Sequence, residues 1–110
     1  MSTIIDPHSR DNFIRLNLVF PPSLEDALTE ALLSNPAAPG FTLLHAEGHG
    51  NDFSLASISE QVRGRTDRRV LWMVIPQPEM EPLLTNLKQS ITSHEIRWWA
   101  EPIIASGKLA

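Results

Sequence analysis

The stretch FIRLNLVFPPSLEDALTEALL, residues 13–33, contains one complete strand–helix unit. Within its first eight residues every second side chain is apolar, as in a strand with one buried face; these are Ile14, Leu16, Leu18 and Phe20. Two prolines end the strand, and Ser23 followed by Asp26 is typical of a capped helix start. Apolar residues then recur at helical spacing; these are Leu24, Ala27, Leu28, Ala31 and Leu32. The stretch therefore predicts a β-strand followed by an α-helix.

The same unit occurs a second time in the chain. Residues 24–31 match residues 80–87 in their apolar spacing after a shift of 56 positions, and prolines again separate strand from helix. Residues 68–76 predict a strand that is apolar on both faces. The helix that follows it should begin near Glu79, because Pro82 then falls in the first turn, where proline is tolerated.

Two further strands, predicted at 41–50 and 95–104, complete a pair of β-α-β units. Two such units interleave as a four-stranded antiparallel sheet with both helices on one face. We therefore predict an α+β protein with the ferredoxin-like βαββαβ fold. The domain should comprise residues 13–104, preceded by a flexible leader at 1–12 and followed by a tail at 105–110.

Composition restricts the classes of function. The chain has 110 residues, no cysteine and a net charge of −4. The absence of cysteine excludes disulfides, thiol catalysis and cysteine-based zinc sites, and the negative charge disfavours a nucleic-acid partner. No apolar run is long enough to span a membrane and no secretion signal is present, so we expect a cytoplasmic protein that is not embedded in a membrane.

The face of the sheet that the helices leave uncovered is predicted to be apolar. Trp72 and Val74 share one face of the third strand, and Leu71 and Met73 share the other, so both faces carry apolar side chains. In the fourth strand Trp98 and Trp99 are neighbours, so one of them points away from the helices. We predict an oligomer interface formed by Trp72, Val74, Trp98 and Trp99, with the leader or the tail as the alternative cover.

The end of the second strand, HAEGHG at 45–50, suggests a metal site. His45, Glu47 and His49 alternate and therefore point the same way along a strand. However, alternate positions are about 6.6 Å apart and metal–nitrogen bonds are about 2.1 Å, so one ion does not reach all three without a bulge. A neighbouring pair completed by His94 or by another subunit is one interpretation, and ordinary polar residues at a strand edge are the other.

Four of the nine basic residues fall within seven positions and form an arginine-rich segment; they are Arg63, Arg65, Arg68 and Arg69. The apolar spacing before them predicts a short helix at about 55–63. That helix would bring the arginines beside Gly48 and Gly50, where close backbone approach and guanidinium groups suit an anion or a carboxylate. The alternative is a purely structural loop at a subunit boundary.

Four segments carry a resemblance to a known superfamily: LVFPPSLEDALTEALL, PGFTLLHAEGHG, SLASISEQVRGR and RWWAEPI. Together they span about residues 13–104, and the chain resembles the PII signalling superfamily. It is more closely similar to an uncharacterised PII-like family whose genes often lie beside heavy-metal efflux systems. The resemblance implies a homotrimer with the sheets lining the three-fold axis, and a regulatory protein rather than an enzyme.

PII proteins bind adenine nucleotides and 2-oxoglutarate in clefts between subunits and contact a target through a long loop. By resemblance, residues 51–66 would be this effector loop, and its partner would be a membrane transporter or another protein. The ligand-binding residues implied in this way lie at the loop, its entry and the tail; they are Gly48, His49, Gly50, Arg63, Arg65, Arg68 and Lys108.

The chain also departs from the PII pattern. It has no tyrosine, and the connection TSHE at 92–95 replaces the glycine-rich, lysine-bearing phosphate loop. The tail offers Lys108 in place of the arginine pair, which argues against binding of adenine nucleotides in the PII manner. The alternative function is a metal-binding accessory protein of CutA-like architecture, linked to heavy-metal tolerance, with a divalent metal as its ligand. An acylphosphatase is excluded because the loop after the first strand, PPS, lacks the necessary arginine.

Overall fold

The structure is a computed structural model that describes residues 12–36, 38–49 and 66–110. Within these ranges the helices and strands are β1 (Phe13–Phe20), α1 (Glu25–Leu33), β2 (Thr42–Gly48), β3 (Thr66–Pro76), α2 (Met80–Ser90) and β4 (Arg97–Ile103). Short 3-10 turns at Pro22–Leu24 and Gln77–Glu79 lead into the two helices. The helix predicted at about 55–63 lies outside the described residues.

The four strands form one sheet in the order β2-β3-β1-β4, and every neighbouring pair is antiparallel. The strands that are consecutive with a helix between them, β1 and β2 or β3 and β4, are therefore not hydrogen-bonded neighbours. This is the arrangement that two interleaved β-α-β units produce. The predicted α+β, ferredoxin-like fold is confirmed.

The core lies between the helices and one face of the sheet. The alternation predicted for β1 is confirmed, because Leu16, Leu18 and Phe20 are at most 1% exposed and Ile14 is 8% exposed. They pack with buried residues of β3 and of the two helices; these are Leu71, Met73, Ile75, Leu28, Leu32, Leu83 and Leu87. The sequence period of two in the strands and the helical stripe in α1 and α2 therefore meet in a single apolar layer.

The predicted serine cap at the start of α1 is wrong. Ser23 lies inside the 3-10 turn, and neither that turn nor α1 has a side-chain cap. Instead Pro21 is extended, and its carbonyl oxygen accepts a hydrogen bond of 3.0 Å from the N–H of Leu24. The proline pair thus turns the chain through its backbone, because a fixed φ and a missing N–H already suit the first turn. Pro82 is the third residue of α2, in its first turn as predicted.

The strand bounds differ from the prediction by one or two residues for reasons of pairing. β3 begins at Thr66 rather than at 68, because Thr66 pairs with Gly48 at the end of β2. β4 begins at Arg97 rather than at 95, because Arg97 pairs with Val19 and β1 ends one residue further on. Ile96 packs against the core without pairing.

We expect Leu16→Ala to lower the free energy of unfolding by about 2–5 kcal/mol, since it deletes a side chain with 0% exposure and leaves a cavity. Leu33→Ala is the matched control, because Leu33 is 76% exposed in α1 and its truncation should change the free energy by less than about 0.5 kcal/mol. Urea denaturation at one protein concentration measures both. Equal effects of the two substitutions would contradict this assignment of the core.

Candidate functional site

The face of the sheet opposite the helices is here called the open face. It carries the strand residues that alternate with the core positions, and their register follows from the strand pairing. Its members on the three strands from β3 to β4 include Arg68, Val70, Trp72, Val74, Phe13, Arg15, Asn17, Val19, Arg97, Trp99, Glu101 and Ile103. Aromatic and aliphatic side chains therefore dominate a face that neither α1 nor α2 covers.

One row of the open face places Asn17 between two tryptophans. Asn17 is paired with Trp72 on one side and with Trp99 on the other. Although neither of the described helices covers this face, Asn17 is only 3% exposed, whereas Trp99 is 46% exposed. The two indoles flank a polar side chain that is thereby shielded from solvent.

Glu101 is the acceptor at the centre of a hydrogen-bond network on the open face. Its Oε1 accepts from Arg15 Nη2 at 3.0 Å, from Asn17 Nδ2 at 2.8 Å and from Trp99 Nε1 at 3.1 Å. Its Oε2 accepts from Arg15 Nη2 at 3.2 Å. The guanidinium of Arg15 also lies 5.7 Å from the centroid of the Trp72 ring, a cation–π distance. We call Arg15, Asn17, Trp72, Trp99 and Glu101 the open-face network.

The open-face network lowers the pKa of Glu101 below its ordinary value of 4.5. The hydrogen bond from Arg15 is the largest cause, followed by the one from the Trp99 indole; burial opposes them, and Asn17 adds a smaller effect in the same direction. All of these donors favour the ionised carboxylate. Glu101 is therefore held as an anion that organises its neighbours.

The four residues of the predicted interface do not all share one face. Trp72, Val74 and Trp99 lie on the open face, but Trp98 pairs with Leu18 and lies on the helix side of the sheet. There it is 51% exposed and lines a groove of about 370 Å³ between β4 and the helices, together with Leu84, Lys88 and others. Sequence alone left open which of the two neighbouring tryptophans points outward, and the strand register assigns Trp99.

The proposed metal-binding residues at the end of β2 are exposed. His49 Nε2 lies 3.7 Å from Glu47 Oε2, and their side chains are 62% and 50% exposed. His45 is paired across the sheet with Arg69, and Glu47 with Asp67. Within the ranges that the structure describes, no three His, Asp or Glu side chains are grouped so as to hold a metal ion. His94 is exposed in the segment after α2.

The residues proposed to bind an anion divide between described and undescribed parts of the chain. Gly48 is buried at the end of β2, opposite the buried Thr66. Arg68 is 8% exposed on the open face, and its Nη1 donates to the carbonyl oxygen of Asp67 at 2.8 Å. Lys108 lies in the exposed segment after β4. Three of the predicted residues lie outside the described ranges; they are Gly50, Arg63 and Arg65.

Arg69 belongs to a different site from the other arginines of its segment. Its side chain points to the helix side, where Nε donates to Glu25 Oε1 at 2.7 Å. The two side chains are 19% and 32% exposed, so this is a partly buried ion pair that ties β3 to the first turn of α1. We therefore assign this ion pair to holding α1 against the sheet and not to binding a ligand.

Glu101 and its network are not among the functional residues predicted from the sequence. A signal was present, since Arg15, Asn17 and Glu101 are polar residues at positions that alternate with apolar ones on the predicted uncovered face. Nothing in the local sequence pairs them, because Arg15 and Glu101 are separated by 86 positions.

A second groove, of about 360 Å³, lies near the start of α2 and is lined by Asn35, Pro39, Pro78, Glu79 and Asn86, among others. None of the helices in the described ranges is long and apolar enough to cross a membrane.

We expect the stability of the Glu101→Gln variant to fall less steeply with decreasing pH, at acid pH, than that of the wild type. Because the pKa of Glu101 is lower in the folded protein than its ordinary value, ionised Glu101 stabilises the fold above about pH 4.5. That contribution is lost as the pH falls from 4.5 through the lower folded pKa, and the amide variant has no such contribution to lose.

Thermal unfolding between pH 3 and 7 measures this difference, and Glu30→Gln, an exposed carboxylate of α1, is the control for the chemical change alone. A Glu101→Gln profile parallel to that of the wild type would contradict the proposed role of the open-face network.

Comparison with known proteins identifies the family and the fold. No functionally curated protein matches the chain in sequence. The crystal structure of a DUF3240 family protein from Shewanella baltica OS155 is similar, with a TM-score of 0.71 and 20% identity over 89% of this chain and 97% of that one. Arabidopsis thaliana PII bound to citrate is also similar, with a TM-score of 0.63 and 14% identity over 84% of this chain and 78% of that one. At these identities the likeness shows a shared PII-like fold. The family model described as "Protein of unknown function (DUF3240)" matches residues 10–110, and the chain therefore belongs to the DUF3240 family.

Proposed function

We propose that this protein is a non-enzymatic, PII-like regulatory or sensor protein. It forms a homotrimer, binds a small effector in the clefts between subunits, and contacts a partner protein through residues 51–66. The observation that carries the proposal is the open face of a PII-like sheet, where Trp99 is exposed, Trp72 and Val74 are partly buried, and neither α1 nor α2 lies over them.

Physical chemistry supports a second copy of the chain as the cover of this face. Trp99 is 46% exposed, and contiguous exposed apolar surface usually marks an interaction site. Tryptophan and arginine are also the residues that most often dominate binding energy at protein interfaces. Sheets that face a common axis bury Trp72 and Trp99 in every copy at once.

The effector site is assigned to the end of β2 and to the arginine-rich segment that leads into β3. Gly48, His49 and the buried Arg68 belong to the described part, and Gly50, Arg63 and Arg65 lie between them in sequence. Glycine backbone and guanidinium groups suit an anionic ligand such as a carboxylate or a phosphate. The citrate bound by Arabidopsis PII is a carboxylate anion and is in keeping with this chemistry. Lys108 is assigned to the same cleft, from a neighbouring copy.

A metal-binding accessory protein of CutA-like architecture is the second candidate. It is favoured by the pair of Glu47 and His49, whose side-chain atoms lie 3.7 Å apart at the end of β2. In this proposal a neighbouring pair among His45, Glu47 and His49 is completed by His94 or by another subunit, because one ion does not reach all three along a strand. A heavy-metal efflux transporter is the associated partner. In both candidates the protein acts in the cytoplasm.

The oligomeric state is the first test. Light scattering coupled to size exclusion at micromolar concentration should give a mass of three copies, each of 12.3 kDa. Trp99→Glu should shift the population toward single copies, because it places a charge in the apolar contact. A wild-type protein that runs as a single copy would overturn the proposed trimer.

Calorimetric titration separates the two ligand classes. With ATP, ADP, citrate, Cu²⁺ and Zn²⁺ as probes, we expect an anion to bind, and Arg63→Ala or Arg65→Ala to weaken it about tenfold or more, as for loss of a charged hydrogen bond. Of the two histidine variants, His45→Ala and His49→Ala, the first should leave that response unchanged, because His45 is not assigned to the anion site. Binding of Cu²⁺ or Zn²⁺ that both histidine variants abolish would favour the metal-binding candidate instead.

A further inference from the structure

The guanidinium of Arg15 uses only part of its hydrogen-bonding capacity. Arginine has five N–H donors in a planar fork. Both hydrogen bonds from Arg15 to Glu101 come from Nη2, and within the described residues Nε and Nη1 make none. The side chain is 40% exposed, so these remaining donors face outward from the open face.

Glu101 has the complementary spare capacity. Its Oε1 accepts three hydrogen bonds, but Oε2 accepts one, at 3.2 Å, and the side chain is 42% exposed. Each carboxylate oxygen can accept about two hydrogen bonds. One copy of the open-face network therefore presents free donors and a free acceptor side by side.

Such a network is self-complementary. Burying Arg15 and Glu101 under an apolar partner would leave N–H groups and a carboxylate oxygen without hydrogen bonds, which is costly. Burying them under the same network of another copy lets Glu101 Oε2 of one copy accept a hydrogen bond from an unused N–H of Arg15 of the other and places opposite charges against each other. The other charges of this face, Arg68 and Arg97, lie beyond Trp72 and Trp99 at the opposite end of the strands and do not enter the network.

We propose that Arg15 of one copy donates to Glu101 of the next, so that the pairs join in a closed ring of alternating charges within the interface. This rests on the proposed function, because it requires open faces that meet around an axis. The ring sets the orientation of the copies: apolar contacts between tryptophans and valines tolerate many registers, whereas charged hydrogen bonds require one.

Other occupants of the open face fit less well. A nucleic acid would stack on free aromatic rings, yet Arg15 already lies over Trp72 and the indole N–H of Trp99 is bonded to Glu101. An ion pair left in water contributes little to stability, because water screens the charges. The same pair shared between copies gains strength as water is excluded, because its charged hydrogen bonds then act in a lower dielectric.

Charge inversion with mixing tests whether the pairing runs between copies. Arg15→Glu leaves two carboxylates in each copy, and Glu101→Arg leaves two guanidiniums. Each variant alone should assemble at least tenfold more weakly than the wild type. When the two are mixed, native mass spectrometry should show partly recovered oligomers that contain both variants, because unlike charges then meet at two of the three contacts of a trimer.

Pairing confined to one copy predicts the opposite result, since mixing cannot remove a like-charge pair within a chain. A wild-type trimer with no recovery on mixing would overturn the inference alone, whereas a monomeric wild type would overturn the proposed function as well. The matched control is the helix-side pair, 2.7 Å apart, inverted as Arg69→Glu and Glu25→Arg. Mixing those two variants should produce no preference for mixed oligomers.

A milder substitution keeps the test valid if inversion prevents folding. Arg15→Met retains an apolar stem over Trp72 and removes the charge. We expect circular dichroism like that of the wild type and at least a tenfold higher concentration for half-dissociation of the trimer. Assembly of Arg15→Met as tight as that of the wild type would overturn the proposed ring.

Discussion

Two helices cover one face of a four-stranded sheet, and this constraint governs the whole molecule. The core needs β1 and β3 to send Leu16, Leu18, Leu71 and Met73 toward the helices. The strand period of two then forces their neighbours onto the open face, whatever their polarity. Because those neighbours include Trp72 and Val74, forming the core also creates a second apolar surface that neither α1 nor α2 covers.

The open-face network shows how a polar cluster is accommodated on such a surface. Asn17 sits between two indoles at 3% exposure, and its amide donates to the Glu101 carboxylate, so the buried polar atoms have partners. In the described part of the chain, no buried side-chain nitrogen or oxygen lacks a hydrogen bond. The polar residues of this face are thus organised before any partner arrives, which lowers the entropic cost of forming an interface.

The strands, helices and core residues were predictable from the sequence where the apolar pattern is local and periodic. The alternation at 13–20 placed every core residue of β1 correctly, and the prolines marked both strand-to-helix junctions. It failed at Ser23, because a proline pair can start a helix through backbone geometry and leave a good capping residue unused. It also left Trp98 and Trp99 unassigned, since adjacent residues face opposite ways and only the pairing of β4 with β1 decides between them. The Glu101 network depends on contacts across more than eighty positions, which no local pattern encodes.

The distribution of tryptophans has a practical consequence. The chain has three tryptophans and no tyrosine, so its near-ultraviolet fluorescence comes from these indoles alone. Trp72 lies under a guanidinium, Trp99 donates to a carboxylate, and Trp98 stands at the helix-side groove. The two faces of the sheet therefore carry separate spectroscopic reporters. Single replacement of each indole by phenylalanine would let an observer distinguish events at the open face from events at the helix-side groove without adding any label.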